Sequence, residues 1–495
     1  MKRSAGVLMP IASLPSEYGI GSFSKEAYEF VDNVAESGLN LWQLLPLGPT
    51  SYGDSPYSSF STFAGNPYFI DLDRLVEKKW LTKAEIAEYD FGKNKDRVDY
   101  GKIYTSRFKV LKKAFEKSNI EKSADFKAFV KENAFWLEDY ALYMAVKNSF
   151  DGLSWLKWDE PIRRREEKAL AEARKKFAKE IVFYEFQQFE FAEEWKALKE
   201  YANEKGIRLI GDIPIYVAMD SADAWAHPEM FQFDENLEPK AVAGCPPDGF
   251  SATGQLWGNP LYDWDYHKET GFEWWMKRLK KCFELYDIVR IDHFRGFDAY
   301  YSIPYPAKDA RGGKWKKGPG YELFAEMKKQ LGEREVIAED LGFLTPSVRR
   351  LVKRTGYPGM KILEFAFDSR DESDYLPHNY EHNSVVYTGT HDNDTVLGWY
   401  RSICAADRRF AEKYMDLKGV PEEEIPWKFI RAAFASVSDI CIIPMQDFLG
   451  LGGEARINTP STLGKNWEWR MRKSAFSKKI RKRIAEYVKL YARNR

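Results

Sequence analysis

Four carboxylates stand where a short apolar run gives way to polar residues: Asp212, Asp292, Glu339 and Asp392. They lie in GDIPIYVAMDSADAW, DIVRIDHFRGF, EREVIAEDLG and VVYTGTHDNDTVLGWY. A pair of acids can cleave and remake a neutral bond when one is ionised and attacks while the other holds a proton for the leaving group. Arg290 and Arg295 flank Asp292 and His293. Two guanidiniums beside a carboxylate are expected to depress its pKa and keep it ionised, which suits a nucleophile. The same mixture of Asp and Arg also builds structural salt bridges. Glu339 and Asp340 follow an apolar strand and precede Gly342. Partial desolvation there would let Glu339 hold a proton near neutral pH. An acid pair at a helix N-terminus would look the same.

His391, Asp392, Asn393 and Asp394 form a dense polar cluster after a third strand. Such a row can grip sugar hydroxyls, and His with Asp and Asn is also a conceivable metal-ligand set. An Asx-turn or helix cap at Asp394–Thr395 accounts for Asp394 but not for the whole cluster. The residues alone do not rank Asp392 against Asp394. Asp212 ends a strand before Pro214, where it either orders the site, binds substrate or caps a loop. Two loops, Ser51 to Tyr68 and Pro246 to Trp264, combine polar, aromatic, Gly and Pro residues in the manner of sites for extended, uncharged polar ligands.

Other chemistries lack their signatures. There is no phosphate-binding Gly-x-x-x-x-Gly-Lys-Ser/Thr, no strand-borne Gly-x-Gly-x-x-Gly, no Gly-x-Ser-x-Gly elbow and no His-Glu-x-x-His. Six histidines limit metal and triad schemes, and Cys245, Cys282, Cys404 and Cys441 show no zinc-ligand spacing. Lys plus Arg and Asp plus Glu each total 75. A zero net charge disfavours a nucleic-acid partner and suits a neutral ligand. The 16 Trp and 28 Tyr supply rings for a large core or for stacking on sugars. The N-terminal apolar run is short and broken by Pro10, and no stretch reaches membrane-spanning length. A cytoplasmic protein with reduced thiols and no membrane partner is expected.

The elements that must position these acids follow from the apolar runs. Eight recur: Gly6 to Ile11, Leu39 to Leu45, Ile207 to Ile213, Asp287 to Ile291, Glu335 to Ala338, Met360 to Phe365, Ser384 to Tyr387 and Asp439 to Ile443. Their length and turn-forming flanks predict strands buried on both faces, with amphipathic segments between. That alternation points to an α/β fold with a parallel sheet, and eight strands fit a closed (β/α)8 TIM barrel. A doubly wound open sheet is the alternative. The barrel is preferred because strand ends converge on one face, so acids far apart in sequence can meet there.

One catalytic barrel over residues 1–495 is expected, carrying large, mainly helical insertions. Residues 72–201 read as a helical subdomain after the second strand, and 245–285 and 298–333 as further insertions or long loops on the active-site side. Within the first, PIRRREEKALAEARKKFAKE reads as a solvated helix with i,i+4 pairs. The basic stretch from Ser477 reads as a C-terminal packing helix.

Taken together, the four strand-end blocks resemble those of the α-amylase superfamily of retaining barrels. The chain is more closely similar to the 4-α-glucanotransferase family, also called amylomaltase or disproportionating enzyme. GVLMPIASLPSEYGIGSF, SYGDSPYSSFSTFAGNPY, GFSATGQLWGNPLYDW, PGMKILEFAFD and NTPSTLGKNWEWR carry that likeness in order, from near residue 5 to about residue 475.

The resemblance implies Asp292 as nucleophile, Glu339 as acid/base and Asp392, not Asp394, as transition-state stabiliser. It implies Arg290 orienting Asp292 and His391 contacting the sugar, with Asp212 and His293 beside them. Tyr57, Trp257 and Asp368 fall in blocks that line the family's glucan groove. No metal or organic cofactor is implied. The partners would be α-1,4-glucan donors with glucose or glucan acceptors. An α-glucan hydrolase would use the same carboxylates, and a non-catalytic glucan-binding barrel could dispense with one of them.

Overall fold

All eight apolar runs form strands, and every pairing among them is parallel. The computed structural model describes residues 2–247, 251–342, 344–370 and 373–494. Twelve strands follow in chain order: β1 (Ser4–Leu8), β2 (Leu41–Gln43), β3 (Arg208–Ile213), β4 (Ala241–Cys245), β5 (Gln255–Pro260), β6 (Ile288–Ile291), β7 (Ala299–Pro304), β8 (Lys314–Lys317), β9 (Val336–Ala338), β10 (Gly359–Ile362), β11 (Ser384–Tyr387) and β12 (Ile440–Pro444). Eight of them order as β10-β11-β12-β1-β2-β3-β6-β9. The two ends of that sheet meet where the Ala338 N–H donates to the Pro358 carbonyl at 3.0 Å. The Met360 N–H adds a bond to Asp340 Oδ1 at 2.8 Å. Asp340 therefore latches the barrel where backbone pairing lapses. Gly359 makes room for it, since a Cβ there would sit 2.3 Å from Asp340 Oδ2.

Strand alternation sorts the side chains. One set, including Leu8, Leu41, Ile210, Ile288, Ile337, Ile362, Val385 and Ile440, fills the barrel interior. The alternate set, including Val7, Trp42, Leu209, Val289, Val336, Val386 and Cys441, packs outward with the helices. Asp212 stands two residues beyond Ile210, and Arg290 and Asp292 two and four beyond Ile288. They continue the interior stripe up to the C-terminal mouth, which is why polar groups meet there.

A second, antiparallel sheet, ordered β5-β4-β7-β8, draws β5, β7 and β8 from the regions expected as insertions or long loops and β4 from just before the 245–285 region. No strands are anticipated there from the sequence. The edge strand β8, KWKK, is exposed throughout and carries no apolar alternation to reveal it. Residues 248–250 of the 246–264 loop lie outside the described residues.

Between β2 and β3 the chain is helical, from Leu72–Glu77 to the long Ala178–Glu204. The charged stretch expected as one helix is divided among three, Glu160–Arg163, Glu167–Lys176 and the start of Ala178–Glu204. Arg165 breaks it with φ of +57°. Its guanidinium binds Asp139 at 2.6 Å and lies over the Trp225 ring, contacts that a continuous helix would forgo. The C-terminal helix, Lys478–Leu490, starts at the Ser477 cap and buries Ile484 and Val488.

Candidate active site

The backbone ladder aligns the acids before any side chain acts. The Asp292 N–H donates to the Ile213 carbonyl at 2.9 Å, and the Glu339 N–H to the Ile291 carbonyl at 3.0 Å. These bonds extend the β3–β6–β9 pairing by one step, so Asp292 and Glu339 leave their strands side by side. His293 then turns the chain with φ of +52°. That left-handed turn aims its N–H at Glu339 Oε2, 2.6 Å away. The Leu341 N–H binds the other oxygen at 2.8 Å.

Arg290 is 3% exposed and joins two carboxylates. Its Nη1 donates to both Asp212 oxygens at 2.6 Å, and its Nη2 lies 3.1 Å from Asp292 Oδ1. The Tyr57 hydroxyl donates to Asp212 Oδ2 at 2.7 Å and lies 3.4 Å from His391 Nδ1. The Tyr57 and His391 rings stack with centroids 5.0 Å apart. His391 Nε2 is 3.4 Å from Asp392 Oδ2. Trp257, on β5, packs at a right angle to His293 with ring centroids 4.9 Å apart. Beside it runs a cleft of 330 Å³ lined by Tyr52, Phe60, Lys147, Asp220 and Asn259. Nine of the ten residues expected at the site thus belong to one connected cluster. The tenth, Asp368, pairs with Arg370 at 2.7 Å on an exposed loop and, among the described residues, bonds to none of the other nine.

Burial pushes Glu339 up to about 7, helped by the nearby Asp292 charge and opposed by Arg290 and the two N–H donors. Asp292 corrects an expectation. It is raised to about 6, not depressed: burial dominates, Arg290 pulls it down, and Asp212 and Asp392 push it back up. Arg290 divides its contacts between two acids, and Arg295 turns away to lie 4.0 Å over the Trp315 ring. Burial raises both acids, and of the two Glu339 is pushed to the higher value. Burial works against the Asp392 charge too, but His391 and Asn458 hold that carboxylate well below its usual range. Burial pushes His293 down to about 3, so its ring is neutral, and its Nε2 is a buried atom without a partner.

The polar cluster at 391–394 divides. Asn393 Oδ1 accepts from the Thr390 N–H and hydroxyl at 2.9 and 2.8 Å. Asp394 Oδ1 accepts from the Thr395 N–H at 2.7 Å, and Thr395 caps the helix Val396–Ser402. Both shape the turn, leaving His391 and Asp392 to the cluster. Among the described residues no group of three or more His, Cys, Asp or Glu is arranged to hold a metal ion.

Sequence reasoning missed Asn458 and Arg456. Asn458 Nδ2 donates to Asp392 Oδ1 at 2.6 Å, and its N–H to the His391 carbonyl at 3.1 Å. Arg456 donates to the Asp392 carbonyl at 2.7 Å. The only signal was the NTPSTLGKNWEWR block, which begins at Ile457's neighbour Asn458.

A (β/α)8 barrel that brings two carboxylates side by side at one mouth, with a third beside them, is the arrangement of carboxylate-pair enzymes that act on glycosidic bonds. Residues 9–475 match the 4-alpha-glucanotransferase family, and the chain belongs to it. It is 50% identical over 487 residues to a 4-alpha-glucanotransferase of Clostridium butyricum, covering 98% of this chain and 100% of that one. It is 49% identical over 480 residues to that of Thermus thermophilus, covering 95% of each. The solved amylomaltase from Streptococcus agalactiae in complex with acarbose superposes with a TM-score of 0.96 at 43% identity, covering 100% of both chains.

Proposed function

We propose that this chain transfers a segment of an α-1,4-glucan to a glucose or glucan acceptor with retention at the anomeric carbon. Asp292 attacks that carbon while the bond to the reducing-side glucan breaks. Glu339 gives its proton to the departing oxygen. An acceptor hydroxyl then gives its proton to Glu339 and attacks the same carbon, releasing Asp292. Asp392 stabilises the positive charge that develops on the ring. Arg290 and Asp212 orient Asp292, and Tyr57, His293 and His391 hold the sugar. Trp257 and Asp368 line the glucan groove.

The observation that carries this reading is the placement of two acids on adjacent strand ends, Asp292 against Arg290 and Glu339 held by the His293 and Leu341 N–H groups. We treat residues 1–495 as one catalytic unit, with 72–201 as its helical subdomain and 245–285 and 298–333 as insertions on the site side. We place the enzyme in the cytoplasm, a reading supported by Cys282, Cys404 and Cys441, none of which forms a disulfide among the described residues. Among the described residues no helix is long and apolar enough to cross a membrane.

The test is the product mixture from pure maltotriose. Transfer yields glucose and a ladder of longer glucans, whereas glucose and maltose alone would mean hydrolysis. Asp292→Asn should abolish transfer with the fold intact, and near-native activity in that variant would overturn the assignment.

A further inference from the structure

The loop that carries Tyr57 also walls a second cleft, of 320 Å³, among the described residues. None of Tyr57, Asp212, Arg290, Asp292, Glu339 or Asp392 lines it. Its size falls in the range of small-ligand sites, roughly 300 to 1,000 Å³. Phe135, Tyr266 and Trp274 supply rings, and Asp223, Glu229 and His267 supply polar groups.

The Phe135 ring is 45% exposed, unusual for a large apolar side chain, and it is held in place. Phe63 meets it edge-on at 5.4 Å and meets Trp274 edge-on at 6.2 Å. A fixed, exposed aromatic face is what the apolar side of a pyranose ring stacks on.

The polar groups are of hydroxyl-binding kind. His267 is fully buried, and its ring nitrogens make no well-formed hydrogen bond, only a looser approach to the Met230 backbone. Burial pushes it down to about 4, against the pull of the Met230 backbone, so at pH 7 the neutral ring offers one donor and one acceptor. The Trp274 indole N–H lacks an acceptor. Asp223 is 5% exposed, and one of its oxygens accepts from the Thr62 N–H at 2.8 Å. The rim charges are compensated. Glu273 pairs with Lys277 at 2.6 Å, Glu229 with His227 at 3.2 Å and Asp139 with Arg165 at 2.6 Å.

We propose that this cleft is a second carbohydrate site, which takes one or two α-linked glucose units of a glucan with one ring against Phe135. The identity of the sugar rests on the α-glucan reading of the catalytic centre. The Asp223–Thr62 bond ties the cleft to the loop bearing Tyr57, so one glucan chain gripped in both places would be anchored through the same loop.

Maltose titrated into the Asp292→Asn protein by calorimetry tests the proposal. Two maltose molecules per chain are expected. Adding Ala226→Trp, which fills the cleft, should leave one. Adding Phe135→Ala should weaken one site about tenfold and leave the other unchanged. If Ala226→Trp fails to fold, the half-exposed Phe135 position carries the test. One site in the parent protein, or two sites that survive Phe135→Ala, overturns the proposal. So does a cleft that binds choline and not maltose. Maltotriose transfer by the native chain, measured separately, shows whether the catalytic reading has failed instead.

Discussion

Removing the charge of Arg290 should move the whole pH profile, not just lower it. In the native chain the acid limb of kcat/KM is expected near 6, where Asp292 ionises, and the alkaline limb near 7, where Glu339 loses its proton. Arg290 holds both carboxylates down. Two unit charges about 4 Å apart interact by about 4 kcal/mol at an effective dielectric constant near 20, worth roughly three pH units. The Asp292 side chain is 29% exposed, so solvent screens part of this. A rise of about one to two pH units is left.

Without its cationic neighbour each carboxylate is harder to ionise. Asp292 then needs a higher pH to become a nucleophile, and Glu339 keeps its proton to a higher pH. In Arg290→Gln both limbs therefore move upward together. Arg290→Lys keeps the charge but cannot reach Asp212 and Asp292 at once. Its limbs should stay in place while kcat falls. The assay is initial glucose release from maltotriose between about pH 5 and about pH 9. A melting curve for each variant is needed, because stranding buried Asp212 costs about 3 to 5 kcal/mol of stability. An Arg290→Gln profile that shrinks but keeps its native limbs would refute the electrostatic reasoning.

Three further outcomes follow from single contacts. Asn458→Ala removes the 2.6 Å bond to Asp392, and kcat for maltotriose should fall roughly a hundredfold with little change in melting temperature; an unchanged kcat would show that Asp392 needs no such support. Gly359→Ala drives a Cβ into the Asp340 latch and should destabilise the fold by about 1 to 3 kcal/mol in urea unfolding, whereas a neutral result would mean the strand shifts freely. Glu194 is buried and raised well above its ordinary 4.5, chiefly by desolvation. The folded chain therefore binds one proton more than the unfolded chain above about pH 4.5, and stability is lost as pH rises from there. Glu194→Gln should remove that slope and melt higher than the native chain at about pH 8; equal melting curves across the range would count against it.

Much of the site could be read because strand ends are legible. Apolar runs that stop at a carboxylate mark both the strand and its polar tip, so Asp212, Asp292, Glu339 and Asp392 stood out before any fold was known. Identical reasoning could not see Asn458. It lies in a loop after the last strand, and its bond to Asp392 spans 66 residues of chain. Nor could it see the antiparallel sheet, because β8 is four exposed residues with no apolar alternation.

Residue types and their spacing by themselves determined the eight strands, the parallel barrel and the set of acids at its mouth. Only the tertiary structure decided how those acids are charged. From the sequence Asp292 sat between two arginines and was expected to be strongly acidic. In the fold Arg295 lies over Trp315, Arg290 is divided between Asp212 and Asp292, and burial raises Asp292 to about 6. Neighbours in sequence are not neighbours in field. A pKa depends on which charges face a group and how much water is left around it, and both are set by packing.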